Sequence, residues 1–310
     1  VTAMILDLSD DAKEYGRQAL KAFEAAGGDQ LLAQADAKPD TRAALVTPVL
    51  DSLGVLELEP RSDADSLEAA AAVCRSAGYW ALPYPVAERL SAPQDLEVDG
   101  LIVVDGAAPE AALQGLDNRW ATVTLDGARS TVARLGGAGP SFATGLELSA
   151  VDGAGSDDVA LALTLPSWTL LGMLDRAIDL TTAHVSLRKQ FGQTLSSFQS
   201  VQFQLTDAEV ERSGVDMLAK YTLWSVATNP ADEAVNDALA LRLAAIEAAE
   251  VVFRVCHQLH GAVGFCDETV LSWLSRYSQP LRRLPFGVSK TRDVLTTRLG
   301  GRGLTGLFSS

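Results

Sequence analysis

The chain has 310 residues, 47% of them hydrophobic and 21% charged, with a formal net charge of −15. That is the composition of a folded protein with a substantial core and room for two or three domains or one large one, and it excludes a disordered chain. The acid surplus argues against a general nucleic-acid binder, which needs a basic footprint.

Residues 1–95 read as an N-terminal helical domain. Asp11 and Glu14 have the spacing of a capping box. Ala12, Tyr15, Ala19 and Phe23 then recur at helical intervals until Gly27-Gly28 stops the element. A second helix is predicted over Thr41–Leu53, with Pro48 inside it, and a third over Ser66–Ala77, stopped by Gly78. Pro83 and Pro85 set an extended turn before a further short helix.

From 96 to 165 the period shifts towards 2. Short runs rich in Val, Leu and Thr, the last being "DVALALTL", are mostly punctuated by Gly or Asp-Gly. They predict a small antiparallel β domain of about five strands. No G-x-G-x-x-G opens a helix after a strand, so no dinucleotide-binding α/β unit is expected.

From 166 to 310 long helices return: Ser167–Lys189, Phe198–Thr228, Asp232–His260 and Thr269–Leu299, the last with breaks near Pro280 and Pro285. In the third, Ala240, Leu243, Ala244, Glu247, Ala248, Val251, Val252 and Val255 trace a mostly apolar stripe. The fold class expected is α+β: N-terminal helices, a small β domain and a C-terminal four-helix bundle.

Two segments concentrate functional chemistry. In "RKQFGQTLSSFQ" Arg188 offers a planar cationic fork suited to phosphate oxygens, Gln190 and Gln199 offer amide donors, Phe191 a flat face, and Gly192 a close backbone approach. "CHQLHGAVGF" ends a helix with Gly261 and Gly264. His257 and His260 stand three apart but lack a third ligand, so capping of the last carbonyls fits better than a metal.

Seven basic residues, Arg276, Arg282, Arg283, Lys290, Arg292, Arg298 and Arg302, follow Glu268 with only Asp293 among them. They form either an anion-facing surface or a solvated helix face. Cys74, Cys256 and Cys266 form no C-x-x-C pair and fit a reducing compartment. The acidic start, with Asp7, Asp10 and Asp11, lacks the basic flank of a signal peptide, and no long uncharged apolar run predicts a membrane span. The cytoplasm is the expected location.

Taken together and in order, the two segments resemble the acyl-CoA dehydrogenase family. The pattern R-x-x-F-G-x-x-(L/I)-x-x-x-Q is met by Arg188, Phe191, Gly192, Leu195 and Gln199. The later Q-x-x-G-G-x-G-F is met by Gln258, Gly261, Gly264 and Phe265, with Ala262 in place of the second glycine. "SAGYWALPYPVAERL" looks like the variant found in actinobacterial members. The resemblance implies FAD as cofactor, bound across a subunit interface. Arg188 would pair with its pyrophosphate and Phe191 would pack on it. Gln190 and Gln199 would contact the dinucleotide, and Gln258, Gly261 and Ala262 would line its adenosine end.

The chain departs from the family in two places. Pro285 and Phe286 of "RLPFGVSK" stand where many members carry the catalytic Glu, and "LTLPSWTLLG", the other known location, also has no acid. Asp175 and Asp179 lie further along and read as exposed or capping residues. The β zone is short and lacks the stretch that holds the flavin ring and thioester. No catalytic residue is therefore assigned to this chain. The resemblance implies a shorter, β-like subunit of a heterotetrameric acyl-CoA dehydrogenase, which shares FAD with a longer subunit. The complex would desaturate an acyl-CoA, a steroid side-chain thioester by analogy, and pass electrons to an electron-transfer flavoprotein. Two alternatives stay open: a homodimeric pseudoenzyme or scaffold that binds a nucleotide-like ligand, and a homomeric dehydrogenase with a relocated base.

Overall fold

The structure, a computed structural model, describes residues 7–300. Five helices open the chain: α1 (Asp10–Ala26), α2 (Asp29–Ala37), α3 (Arg42–Ser52), α4 (Ala64–Tyr79) and α5 (Val86–Leu90). The cap of α1 is not the Asp11–Glu14 pair. Ser9 Oγ accepts from the Ala12 N–H at 3.3 Å, while the Ser9 N–H donates to Glu68 of α4 at 2.7 Å. Glu14 instead pairs with Arg17 one turn on, at 2.7 Å. α2 carries no sequence signal strong enough to separate it from the glycine turn at 27–28.

Gly78 does not stop α4 but sits inside it. A Cβ there would lie 1.8 Å from the Thr169 carbonyl oxygen, and one on Gly172 would lie 1.9 Å from the Arg75 oxygen. The two glycines let α4 press backbone to backbone on the first bundle helix, α6, which runs over Ser156–Leu187.

Between α5 and α6 lie β1 (Gly100–Val103), β2 (Glu110–Ala111), β3 (Trp120–Val123), β4 (Ala128–Ala138) and β5 (Thr144–Ala154). They form one sheet in the order β1-β3-β4-β5-β2. The sheet is mixed rather than antiparallel throughout, because β1 pairs with β3 in parallel, Gly100 opposite Trp120 and Val103 opposite Val123. The connection between them runs to the far edge, where β2 pairs with β5.

The run at 158–165, expected to be a strand, is the first part of α6. Every residue from Asp158 to Leu165 is buried, beneath the sheet on one side and against the helices on the other. A helix buried all round loses its 3.6 period and reads as a buried strand.

After α6 a two-stranded hairpin, β6 (Lys189–Gln190) and β7 (Gln193–Thr194), leads into α7 (Gln199–Thr228), then α8 (Ala231–His260). The final stretch divides at the predicted prolines into α9 (Val270–Tyr277), α10 (Gln279–Arg283) and α11 (Val288–Gly300). The buried face of α8 is shifted from the predicted stripe. Leu239, Arg242, Ala245, Ile246, Ala249, Val252 and Cys256 are buried, whereas Leu243, Ala244 and Val251 are half-buried and Glu247 is exposed. α8 packs on α6, α7 and α11 at once, so its core face is broader than one stripe.

Candidate functional site

The hairpin at the end of α6 is built by its turn. Phe191 and Gly192 both have positive φ, 51° and 83°, which is the two-residue geometry that matches strand twist. Gly192 adopts it freely; a phenylalanine there is strained and needs a reason. The Phe191 ring is 91% exposed and stands edge-on to Phe198 at 6.3 Å. Arg188 closes α6: its N–H caps the His184 carbonyl at 2.9 Å, and its own carbonyl accepts from Leu195 at 2.9 Å. The backbone is thus fixed at both ends of the residue. The guanidinium is exposed and makes no ion pair with any described residue. Gln190 is exposed on β6, and Gln199 is exposed as the first residue of α7.

The second segment lies at the same end of the bundle. The His184 and His260 rings stack at 4.3 Å, tying the last turn of α6 to the last turn of α8. Gly261, at φ 64°, then reverses the chain and caps Gln258 and His257. Gln258, Gly261 and Ala262 are all exposed. Gly264 has to be glycine: a Cβ would sit 2.8 Å from that of His260 and 3.4 Å from His257 Nδ1. Ala262 adopts ordinary helical φ in the turn 261–265 and costs no strain, so the departure at this position leaves the turn intact. All seven predicted residues therefore crowd one end of the bundle, solvent-facing, around an uncompensated cation.

His257 stacks on Phe265 at 4.4 Å, and His260 Nδ1 lies 2.9 Å from the Cys256 carbonyl oxygen, the capping role expected of it. Burial, and for His184 also the neighbouring His260 and Arg188, holds the three imidazoles below their ordinary range. Among the described residues no group of three His, Cys, Asp or Glu could hold a metal. Among the described residues no helix is long and apolar enough to cross a membrane.

The basic C-terminal stretch is mostly neutralised within the molecule. Arg276 pairs with Asp267 at 2.8 Å, Arg292 with Glu247 at 2.5 Å, Arg298 with Asp232 at 2.6 Å, and Lys290 with Asp105. Arg302 lies outside the described residues. Four of the six described basic residues of this stretch are thus paired with acids of the same chain.

The other end of the chemistry is occupied by structural groups. The segment 281–286, where a base would stand, is pinned by Arg242 of α8. Its guanidinium is buried and donates to the carbonyls of Leu281 at 3.0 Å, Leu284 at 2.6 Å and Phe286 at 2.9 Å. The first turn of α6 does hold an acid, Asp158, but it is locked in a buried cluster with Arg129 at 2.9 Å and Arg61 at 3.0 Å. Asp175, expected to be exposed or capping, is half-buried and paired with Arg75 at 2.6 Å, while Asp179 is exposed and accepts from Tyr79.

Between α5, the sheet, α6 and the 281–286 segment lies a cavity of about 120 Å³, bordered by Arg42, Tyr84, Glu88, Met173, Tyr277 and Pro285. Ligand sites usually enclose about 300–1,000 Å³. Burial pushes the Glu88 carboxyl above its usual range. Glu88 was not singled out from sequence, since "VAERL" reads as any short helix.

Residues 165–287 match the family described as acyl-CoA dehydrogenase, C-terminal domain. Acyl-CoA dehydrogenase FadE28 of Mycobacterium tuberculosis is 30% identical over 138 residues, 44% of this chain and 40% of that protein. The probable acyl-CoA dehydrogenase YngJ of Bacillus subtilis is 30% identical over 41% of this chain and 33% of its own length. The chain thus matches two fifths or less of each.

Among solved structures, a variant of the Tcur3481–Tcur3483 steroid ACAD superposes with a TM-score of 0.78 at 18% identity, over 94% of this chain and 98% of the other. The ChsE4–ChsE5 complex of Mycobacterium tuberculosis gives 0.74 at 16% identity, over 97% and 100%. The fold is shared along nearly the whole chain, and the sequence likeness is concentrated in the bundle that carries both exposed segments. Residues 165–287 thus match the C-terminal domain of acyl-CoA dehydrogenases, and nearly the whole chain shares the fold of these solved structures.

Proposed function

We propose that this chain is the non-catalytic-type subunit of a heteromeric, FAD-dependent acyl-CoA dehydrogenase. One observation carries the reading: the backbone of Arg188 is hydrogen-bonded on both sides, yet its fork is exposed and makes no ion pair with any described residue. The places where the family keeps its base hold Pro285 and Phe286 in one case and the acid-free run 163–172 in the other.

FAD, when bound, supplies the hydride acceptor. Arg188 gives charge-assisted hydrogen bonds to its pyrophosphate. Phe191 packs its exposed ring on the cofactor, Gln190 and Gln199 donate to the dinucleotide, and Gln258, Gly261 and Ala262 line the adenosine end. This chain holds no base. A longer partner subunit removes the α-proton and encloses the flavin ring and thioester. The donor set fits a dinucleotide shared across an interface, because all seven residues face solvent and none faces the small internal cavity.

The proteins of similar fold include a steroid ACAD and a two-component complex. They support a steroid-type CoA thioester as substrate and a second, unlike subunit as partner; the assembly proposed with them has two long and two short chains. An electron-transfer flavoprotein would reoxidise the flavin, in the cytoplasm. The test is coexpression with the longer subunit and a flavin-to-protein ratio. The chain alone should be colourless and the complex yellow and active. A yellow, active protein from this chain alone would overturn the reading.

A further inference from the structure

The cavity beside Glu88 has three properties that the cofactor reading does not use. One is backbone strain. Four described residues other than glycine have positive φ. Phe191 is the first of them; the other three, Ala81 at 45°, Ser141 at 55° and Phe142 at 64°, all border this cavity. Such strain collects at ligand sites, where the surrounding fold has to impose it.

Another is an open carboxyl. Glu88 lines the cavity, and its side chain makes no ion pair or hydrogen bond with any other described residue. The remaining polar groups of the wall are taken. Ser141 Oγ donates to the Arg276 carbonyl at 2.9 Å, Thr169 Oγ1 to that of Leu165 at 3.4 Å, and the Tyr277 hydroxyl to Asp36, while Tyr84 reaches Asn118. Arg42 donates to the carbonyls of Pro83, Gln114 and Ala112 at 2.8, 2.6 and 3.0 Å, as Arg242 does to its own three. A buried water needs about two to four polar partners. One carboxyl among Ile102, Leu163 and Met173 offers too few for a water cluster, whereas a molecule with one polar end and an apolar body fits.

The last is charge. Arg42 and Arg242 are 2% and 4% exposed, and neither forms an ion pair with any described residue. Burial favours the uncharged form of Glu88, although its own N–H and Arg42 oppose it. Glu110, at the edge of the cavity, is exposed. Two enclosed cations thus face one carboxylic acid, and an anion that accepts from that acid offsets an unpaired charge. At about 120 Å³ the space is a little smaller than the roughly 150 Å³ that takes a benzene, so it holds about five heavy atoms and neither a flavin ring nor a steroid.

We infer that this cavity binds a short-chain monocarboxylate. The carboxylate accepts from Glu88, its charge answers Arg42 and Arg242 without displacing their carbonyl partners, and its alkyl end lies against Leu163 and Met173. The site uses none of the cofactor-facing residues, so its failure leaves the heteromeric reading standing.

The test is a calorimetric titration of the full-length chain, without flavin or the longer subunit, with propionate. Saturable binding at one site per chain is expected. Propionamide, the uncharged analogue, should bind about tenfold or more weaker, the worth of a charge-assisted hydrogen bond. Glu88→Leu should lose propionate binding with unchanged far-ultraviolet circular dichroism. Met173→Trp, which fills the cavity and leaves Glu88 in place, should lose it as well, and stands in if Glu88→Leu does not fold. The inference is overturned by an absence of saturable propionate binding, by propionate and propionamide binding alike, or by binding that persists in either folded variant.

Discussion

Arg188 and Arg242 are the same side chain put to opposite uses. Arg242 is buried, and its donors are taken by three carbonyls of the segment 281–286. Arg188 is exposed at a helix end and its donors are open. The same contrast runs through the two regions around them. The interior holds matched charges in the Arg129–Asp158–Arg61 cluster, and the cavity beside Glu88 encloses about 120 Å³. The hairpin end leaves a cation, strained Phe191 and three amides facing water. A guanidinium whose hydrogen bonds close within the chain holds the fold; one that the fold positions and leaves open is there for something outside it.

Replacing each arginine separates the two roles. Arg242→Met should have the largest effect on stability, because it strands three buried carbonyls. At about 1–3 kcal/mol for each unsatisfied group the loss should reach roughly 3 kcal/mol or more. Urea unfolding of the full chain measures it, and a loss below about 1 kcal/mol would remove Arg242 from its structural role.

Arg188→Ala should change stability by less than about 0.5 kcal/mol, the usual range for an exposed residue. In the complex with the longer subunit it should weaken FAD binding by roughly 1.5–3 kcal/mol, the worth of a charge-assisted contact. Flavin occupancy after dilution reads this out. Full occupancy in the variant would take Arg188 out of the cofactor site.

The smallest effect is on pH dependence. The His184–His260 pair has its affinity for protons lowered by burial, so the folded chain binds fewer protons there than the unfolded chain. Its contribution to stability is complete above the unfolded value of about 6.5 and is lost as pH falls through it. The urea midpoint should drop between about pH 7.5 and pH 5.5, and the drop should shrink in His260→Asn. A bound anion beside Arg188 favours the protonated rings and should flatten the slope, linking the pair to the site.

Helix positions in the bundle were legible because α7 and α8 each have a polar side, and the breaks at Pro280 and Pro285 follow from a missing N–H and a fixed φ. The motif residues were legible by type and spacing. Other features depended on neighbours. The first turns of α6 hid as a strand because burial on all sides removed their period. Gly78 looked like a stop because a glycine that ends a helix and one that lets two helices touch are the same letter.

The linear order of residues determined that Arg188, Phe191 and Gly261 would be available, since charge, aromatic face and permissive backbone are properties of single residues. It also determined that no carboxylate follows Glu268 before Asp293. Only the tertiary structure decided that the two segments share one end of the bundle, that Arg242 is occupied while Arg188 makes no ion pair with any described residue, and that Asp158 is paired with Arg129 and Arg61. Each of these depends on which groups, distant in the chain, come within hydrogen-bonding distance, and that is a consequence of packing rather than of composition.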